Sequence, residues 1–378
     1  MNRPLAGPQT LLRTINARAI LETLAERGPL TRAELMTHTG LSRTAVTQVL
    51  RMLEADGAVT PAGVDRDTKG PAATRVGLHP GLGFAVAVRV EHHAVHVALL
   101  DPRGTVHARR NAPFSAYGDR AACIAALVDE CREAVPGPLH LAIVGVPGIV
   151  TADGGIRDDE GSDAGAFHDA LVERLGCSVR IENDVNLAAL AELDGGAGSE
   201  LSSFALLVLD DGLGAGIIID RKLHRGAAGV AGEVAYLPQT PLPIGTAVLG
   251  EDVVAELARA HGRDPERPLS AHLDAAAEGD PAATGLADEI ARRLSLIAGS
   301  IALVIDPEAF VLGGAGAHPV LADAVRRSAE DFAGRLPVRF LTSSLGNEAS
   351  LAGAVSEAAS ALRATILDQL LPDDRTPE

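Results

Sequence analysis

Tryptophan is absent from the 378 residues and aromatic side chains make up 2%. Stacked aromatic platforms for single-stranded nucleic acid therefore have almost nothing to be built from. The three cysteines, Cys123, Cys131 and Cys177, follow no disulfide or metal-ligand spacing, which fits a reducing compartment. No apolar run approaches membrane-spanning length, and Pro4, Gly7 and Pro8 interrupt a start that lacks the apolar core of a signal peptide. The expectation is a cytoplasmic protein with no membrane partner. Positive charge is scarce as well: 33 Lys and Arg face 50 Asp and Glu, a net charge of −17. The shortage is uneven, because residues 1–80 hold ten basic and seven acidic side chains while the rest holds 23 and 43. An acidic body repels nucleic acid, so any DNA contact has to come from the first 80 residues.

Residues 31–57 carry the pattern for such a contact. Thr31-Arg32-Ala33-Glu34 has the form of a capping box, Gly40 breaks the helix it opens, and Ser42 can cap the next one. In that second helix Val46, Val49, Leu50 and Leu53 share one apolar face. The opposite face offers Ser42, Arg43, Thr44, Thr47, Gln48 and Arg51, side chains that reach phosphates and base edges in a major groove. A solvated amphipathic helix shows the same polarity, but two caps, the glycine turn and the sequel agree. The sequel, residues 59–78, has β-prone ends and a polar middle with Arg66 and Lys69, the pattern of a two-stranded wing. Upstream, Asn16 is expected to cap a first helix bearing Ile20, Leu21 and Leu24.

The character changes at His79-Pro80-Gly81. Residues 84–100 read as two strands, and Asp101-Pro102-Arg103-Gly104 turns into a third. A helix over 119–134, a buried strand over 139–144, a helix over 166–175, a strand over 178–181 and a helix over 184–193 complete one α/β lobe. A second lobe has strands at 204–209 and 216–219, helices within 246–305 and a strand at 309–312. A closing helix spans 349–366. His92, His93 and His96 suggest a metal, but neighbours on a strand point to opposite faces, so His92 and His93 cannot share one site.

Four landmarks then carry a family resemblance. They are Gly145-Val146-Pro147-Gly148, the run Glu182-Asn183-Asp184-Val185-Asn186, the run from Arg225-Gly226 to Gly232-Glu233, and Asp306-Pro307-Glu308 ahead of Val311-Leu312-Gly313-Gly314. In this order and spacing the chain resembles the ROK family of sugar kinases and sugar-responsive repressors. The resemblance implies an α/β fold: an N-terminal winged helix-turn-helix plus a two-lobed actin-like, sugar-kinase body. The implied division is a DNA-binding domain at 1–80, a first lobe at 81–195 with the closing helix 349–366, and a second lobe at 196–348. It also implies double-stranded operator DNA and a sugar or sugar-phosphate effector as partners, with a homodimer or homotetramer as the binding unit.

Departures from the family pattern bear on catalysis. Where its kinases place Asp-Gly-Gly-Thr, this chain has Arg89, Val90, Glu91, His92 and His93; where they place Gly-Thr-Gly-Ile-Gly, it has Asp210-Asp211-Gly212-Leu213-Gly214. A cation and extra carboxylates now stand where phosphates and metal would be held, and phosphoryl transfer depends on positioning and charge neutralisation. No catalytic residue, cofactor or metal is expected. The resemblance makes Asn183, Asp184 and Glu233 sugar contacts, although Asn183 and Asp184 are equally suited to cap the following helix. Tyr236 replaces a family histidine, and no cysteine follows Cys177 to form a zinc loop. Glu251 falls near a family sugar contact, where an acidic residue at a helix start is also expected. The resulting expectation is a sugar-gene regulator, a repressor, with a catalytically dead cleft; the alternatives are a residual sugar kinase and a constitutive DNA-binding protein.

Overall fold

A computed structural model describes residues 7–65, 73–114, 119–133, 135, 137–151, 155–157, 164–239, 246–333 and 338–370. The first helix, α1 (Gly7–Arg27), begins well before Asn16, which lies inside it instead of capping it. The two-residue strand β1 (Leu30–Thr31) leads into α2 (Arg32–Thr39), where Glu34 N donates to Thr31 Oγ1 at 3.3 Å and Thr31 N donates to Glu34 Oε2 at 2.7 Å. Gly40 ends α2 in the left-handed region at φ 69°, and Ser42 Oγ accepts from Ala45 N to start α3 (Arg43–Ala55). The strands β2 (Val59–Asp65) and β3 (Ala73–Leu78) pair antiparallel, and β1 adds to β3. The wing tip, with Arg66 and Lys69, lies outside the described residues. Ile20, Leu24, Leu35, Val46, Leu50 and Leu53 bury one small core.

The first lobe is built on β4 (Phe84–Val90), β5 (Ala94–Leu100), β6 (Val106–Pro113), β7 (Leu139–Val146) and, after α4 (Arg120–Arg132), the hairpin β8 (Ile149–Val150) and β9 (Ile156–Arg157), and α5 (Ala164–Leu175), β10 (Ser178–Asn183). The sheet order is β10-β7-β4-β5-β6, antiparallel through β4, β5 and β6 and parallel through β4, β7 and β10. His92 and His93 sit in the turn between β4 and β5, not on the second strand as the sequence reading had them. Alternate residues of β4 face opposite layers: Val86 and Val88 pack with the α4 side, Ala85 and Ala87 with the side of the last helix. The helix α6 (Asp184–Gly195) follows β10 directly.

The second lobe holds β11 (Phe204–Leu209), β12 (Leu213–Ile219), β13 (Lys222–Leu223), α7 (Glu251–Ala260), α8 (Leu269–Ala277), α9 (Pro281–Ile305), β14 (Ala309–Gly314), α10 (Pro319–Ala333) and β15 (Phe340–Thr342). Its sheet runs β13-β12-β11-β14-β15. The elements α10 and β15 are additions to the sequence expectation; the spacing of Leu321, Ala324, Val325 and Ala329 on α10 was a readable signal, whereas three residues of β15 are too few to show a period.

The closing helix, α11 (Ala349–Leu370), runs four residues beyond its expected end at 366. Those residues matter, because Leu367 is buried in the winged-helix core and Leu370 packs against it. Arg18 of α1 reaches Asp368 at 3.9 Å. In its second turn, α11 crosses α6 at Gly353, where a Cβ would stand 1.8 Å from the Leu187 carbonyl oxygen, so only glycine allows the approach. Leu367→Ala should lower stability by about 2–4 kcal/mol. The loss should appear in thermal unfolding as an earlier transition of the winged helix, with the body less affected.

Candidate functional site

The polar face of α3 is the first of two candidate surfaces. The burial of Val46, Val49, Leu50 and Leu53 turns Arg43, Thr44, Gln48 and Arg51 to solvent together. Ser42 spends its hydroxyl oxygen on the helix cap, and Thr47 Oγ1 donates to Arg43 O at 2.8 Å, so these two hydroxyls also serve the helix itself. The remaining side chains extend from a rigid, doubly capped element, which is what groove recognition requires.

The second surface is the cleft between the lobes. A cavity there is lined by Arg89 from the end of β4, Asp184 and Glu192 from α6, Asp210 from the end of β11, and Ser350 from the first turn of α11. Arg89 Nη1 donates to Asn347 O at 2.6 Å, while Nη2 meets Glu91 Oε1 at 2.7 Å. Asp184 Oδ1 accepts from Val185 N at 2.8 Å. Burial pushes the Asp184 carboxyl up to about 6; the Val185 amide and Arg89 pull the other way, and Asp210 adds to the rise. Burial also raises Asp210, opposed by Arg89, with Asp211 and Glu91 adding to the rise.

Of the ligand residues expected from sequence, only Asp184 lines this cavity. Asn183 caps α6, its Oδ1 accepting from Asn186 N at 2.9 Å, and its Nδ2 donates to Gly148 O at 3.0 Å. Glu233 precedes a 3-10 turn (Val234–Tyr236), and Tyr236 is exposed. Glu251 is the first residue of α7, where its amide donates to Asp211 O at 2.7 Å and its side chain faces solvent.

The sequence reading missed the partner of Glu182. This buried carboxylate receives Arg225 Nε at 2.7 Å and Nη2 at 2.6 Å, and its other oxygen receives Asn186 Nδ2 at 3.0 Å. Both residues head landmarks in the sequence, but no local pattern pairs positions 43 apart in the chain. The pair ties β10 of the first lobe to the segment after β13 of the second. At another edge His92 Nδ1 lies 3.2 Å from Asp211 Oδ2, linking two turns across the cleft.

The raised Asp184 value has a consequence for stability. A carboxyl that binds its proton more tightly when folded favours the folded chain in acid, and that contribution is lost as pH rises through about 6. Asp184→Asn removes the titration while keeping an acceptor for Val185 N. Its melting temperature should exceed the parent's by a few degrees at about pH 7.5, and the advantage should shrink towards about pH 5, as differential scanning calorimetry would record.

The ROK family profile matches residues 85–360, and a winged helix-turn-helix DNA-binding profile matches residues 13–60. The chain is 27% identical over 240 residues to the xylose repressor of Caldicellulosiruptor bescii, a match covering 61% of this chain and 60% of that protein. The chain thus spans less than two thirds of the length of such a relative. Its fold is similar to that of a ROK family transcriptional regulator described as a homologue of the Escherichia coli MLC protein, with a TM-score of 0.75 at 19% identity over 95% of this chain and 99% of that one. It is also similar to a Streptomyces griseus ROK glucokinase solved with glucose and AMPPNP, with a TM-score of 0.61 at 23% identity over 74% of this chain and 100% of that one. With a family match spanning most of its length beneath an N-terminal winged helix, the chain belongs to the ROK family.

Proposed function

We propose that the protein is a DNA-binding transcriptional regulator of carbohydrate-related genes, a repressor, whose kinase-like body senses a sugar and performs no phosphoryl transfer. The observation that carries the reading is the α3 face: Arg43, Thr44, Gln48 and Arg51 stand exposed on a capped helix beside a wing, on a chain whose body is strongly acidic. The name of the xylose repressor relative supports the same reading. Loss of catalysis is supported by the two replaced loops, since Arg89 and Asp210 occupy the cavity beside Asp184 with their own charges. A base without a held phosphoryl donor transfers nothing.

One recognition helix reads one half-site, so an inverted repeat calls for a homodimer or a pair of dimers. An exposed apolar stripe on α9, with Leu296 42%, Leu303 72% and Val304 84% exposed, supports association of copies. The working compartment is the cytoplasm, where operator DNA lies.

Arg43→Ala and Arg51→Ala should each weaken binding to DNA fragments that the chain selects from its source genome, by about tenfold or more. A lost phosphate contact would weaken all sequences alike and lower the salt slope by about 1, whereas a lost base contact would relax sequence preference. Unchanged affinity in both variants removes α3 from the interface. Separately, the double variant Asp184→Asn, Glu233→Gln should lose the response of DNA binding to sugar while binding DNA normally, as fluorescence anisotropy would measure. An accompanying assay for ADP release over a sugar panel should stay at background.

A further inference from the structure

Charge totals assign DNA contact to the first 80 residues, but they do not show where a single arginine of the body sits. Four arginines surround the turn between α1 and α2. Arg27 ends α1 and Arg32 opens α2, and both are exposed. Arg75 reaches in from β3, its Nη1 donating to Pro29 O at 2.9 Å and its Nη2 to Glu34 Oε1 at 3.2 Å. Arg103, exposed on the turn between β5 and β6 of the first lobe, lies against Gly28, where a Cβ would stand 3.1 Å from its Nη2. An exposed guanidinium is ordinary. Convergence of four on one short turn, in a chain of net charge −17, is not.

The carboxylates at hand are already engaged. Glu34 holds Arg75 with one oxygen, and its other oxygen accepts from Thr31 N at 2.7 Å and Thr31 Oγ1 at 2.9 Å. Asp101 Oδ1 accepts from Arg103 N at 2.8 Å and Thr105 N at 3.0 Å, and its Oδ2 stands 3.0 Å from His107 Nε2. Glu26 precedes Arg27 in the chain but points about 100° further round the helix. Arg27, Arg32 and Arg103 hold no carboxylate among the described residues. The backbone under Arg103 is also fixed: Gly104 N donates to Asp101 O at 2.9 Å, Pro102 is buried, and Arg363 Nη1 of α11 donates to Pro102 O at 3.0 Å.

Donor chemistry and placement together select the ligand. A planar guanidinium matches phosphate oxygens, and cations spread along a surface suit phosphates repeated along a duplex. When the second helix of a helix-turn-helix enters the major groove, the first crosses the sugar-phosphate backbone. Here the first helix is α2, which Arg32 opens, and Leu35 of α2 shares a core with Val46 and Leu50 of α3. We propose that Arg27, Arg32 and Arg103 hold the sugar-phosphate backbone beside the half-site read by α3, and that Arg103 brings the body itself into the DNA interface. The proposal rests on the DNA-binding reading above and adds to it a second contact surface and a body residue.

The test titrates the full chain with a duplex of its selected DNA and with a random-sequence duplex, each over a range of salt. Arg103→Gln keeps a polar stem and removes the charge. On both duplexes it should make the dependence of log affinity on log salt shallower by about 1, so that its deficit shrinks about fourfold between about 50 and about 200 mM salt. Arg103→Lys should keep the parent's slope. Arg27→Gln and Arg32→Gln should each lower the slope by about 1 and leave sequence preference as in the parent. A role for Arg103 in packing on Gly28 would shift thermal unfolding in the Gln and Lys variants alike and leave the salt slope unchanged, and that result overturns the proposal. Altered base preference in Arg103→Gln overturns the assignment to the backbone. A shallower slope in the Arg27 and Arg32 variants alone overturns the part given to the body. Should the parent prefer no sequence, the regulator reading fails by itself and the random-sequence duplex decides the arginine site; should it retain no duplex at all, both fail.

Discussion

The crossing of α11 over α6 is the contact on which the rest of the structure depends. It exists because residue 353 has no side chain and the Leu187 carbonyl can lie against bare backbone. Three bodies are joined through it: α6 presents Asp184 to the cleft, α11 leaves the second lobe at β15, and its far end completes the winged-helix core with Leu367. A close-packed interior transmits displacement instead of absorbing it, so a shift at one end of α11 has few places to dissipate.

Electrostatics sets the character of the cleft. Asp184, Glu192 and Asp210 line its cavity against the single guanidinium of Arg89, so its lining is acidic. Arg89 spans from β4 to Asn347 O and also holds Glu91. The charge of the cleft is left unbalanced on the acidic side, and the raised carboxyl of Asp184 stays available as a hydrogen-bonding group. Further links between the lobes, Glu182 with Arg225 and His92 with Asp211, hold this arrangement from its edges. The Glu182 pair is the firmer of the two, because its carboxylate is buried and one of its oxygens receives two guanidinium nitrogens, whereas exposed pairs such as His92 with Asp211 are worth little.

Much of the fold was legible in the sequence because its signals are local. The capping box at Thr31, the glycine at 40, the Ser42 cap and the apolar spacing on α3 each depend on residues within one or two turns, and each appears in the structure as read. The alternating strands and the order of the family landmarks are similarly near-neighbour information. Local reading failed at ends and short pieces: α1 started well ahead of Asn16, β1 and β15 were too brief to show a period, and α11 gained its last turn from a core elsewhere in the chain.

The candidate site divides in the same way. Residue types by themselves determined that the N-terminal module carries what positive balance the chain has and that Asp184 opens a helix. Tertiary structure alone decided that Asp184 shares a cavity with Arg89 and Ser350 while Asn183 is spent on a cap and Glu251 faces solvent. It alone matched Arg225 to Glu182 and brought Leu367 to Ile20. The physical reason is range: caps and periodicity are settled by hydrogen bonds a few residues long, whereas a buried hydroxyl or carboxylate acquires its partners from segments that only the packed chain brings together.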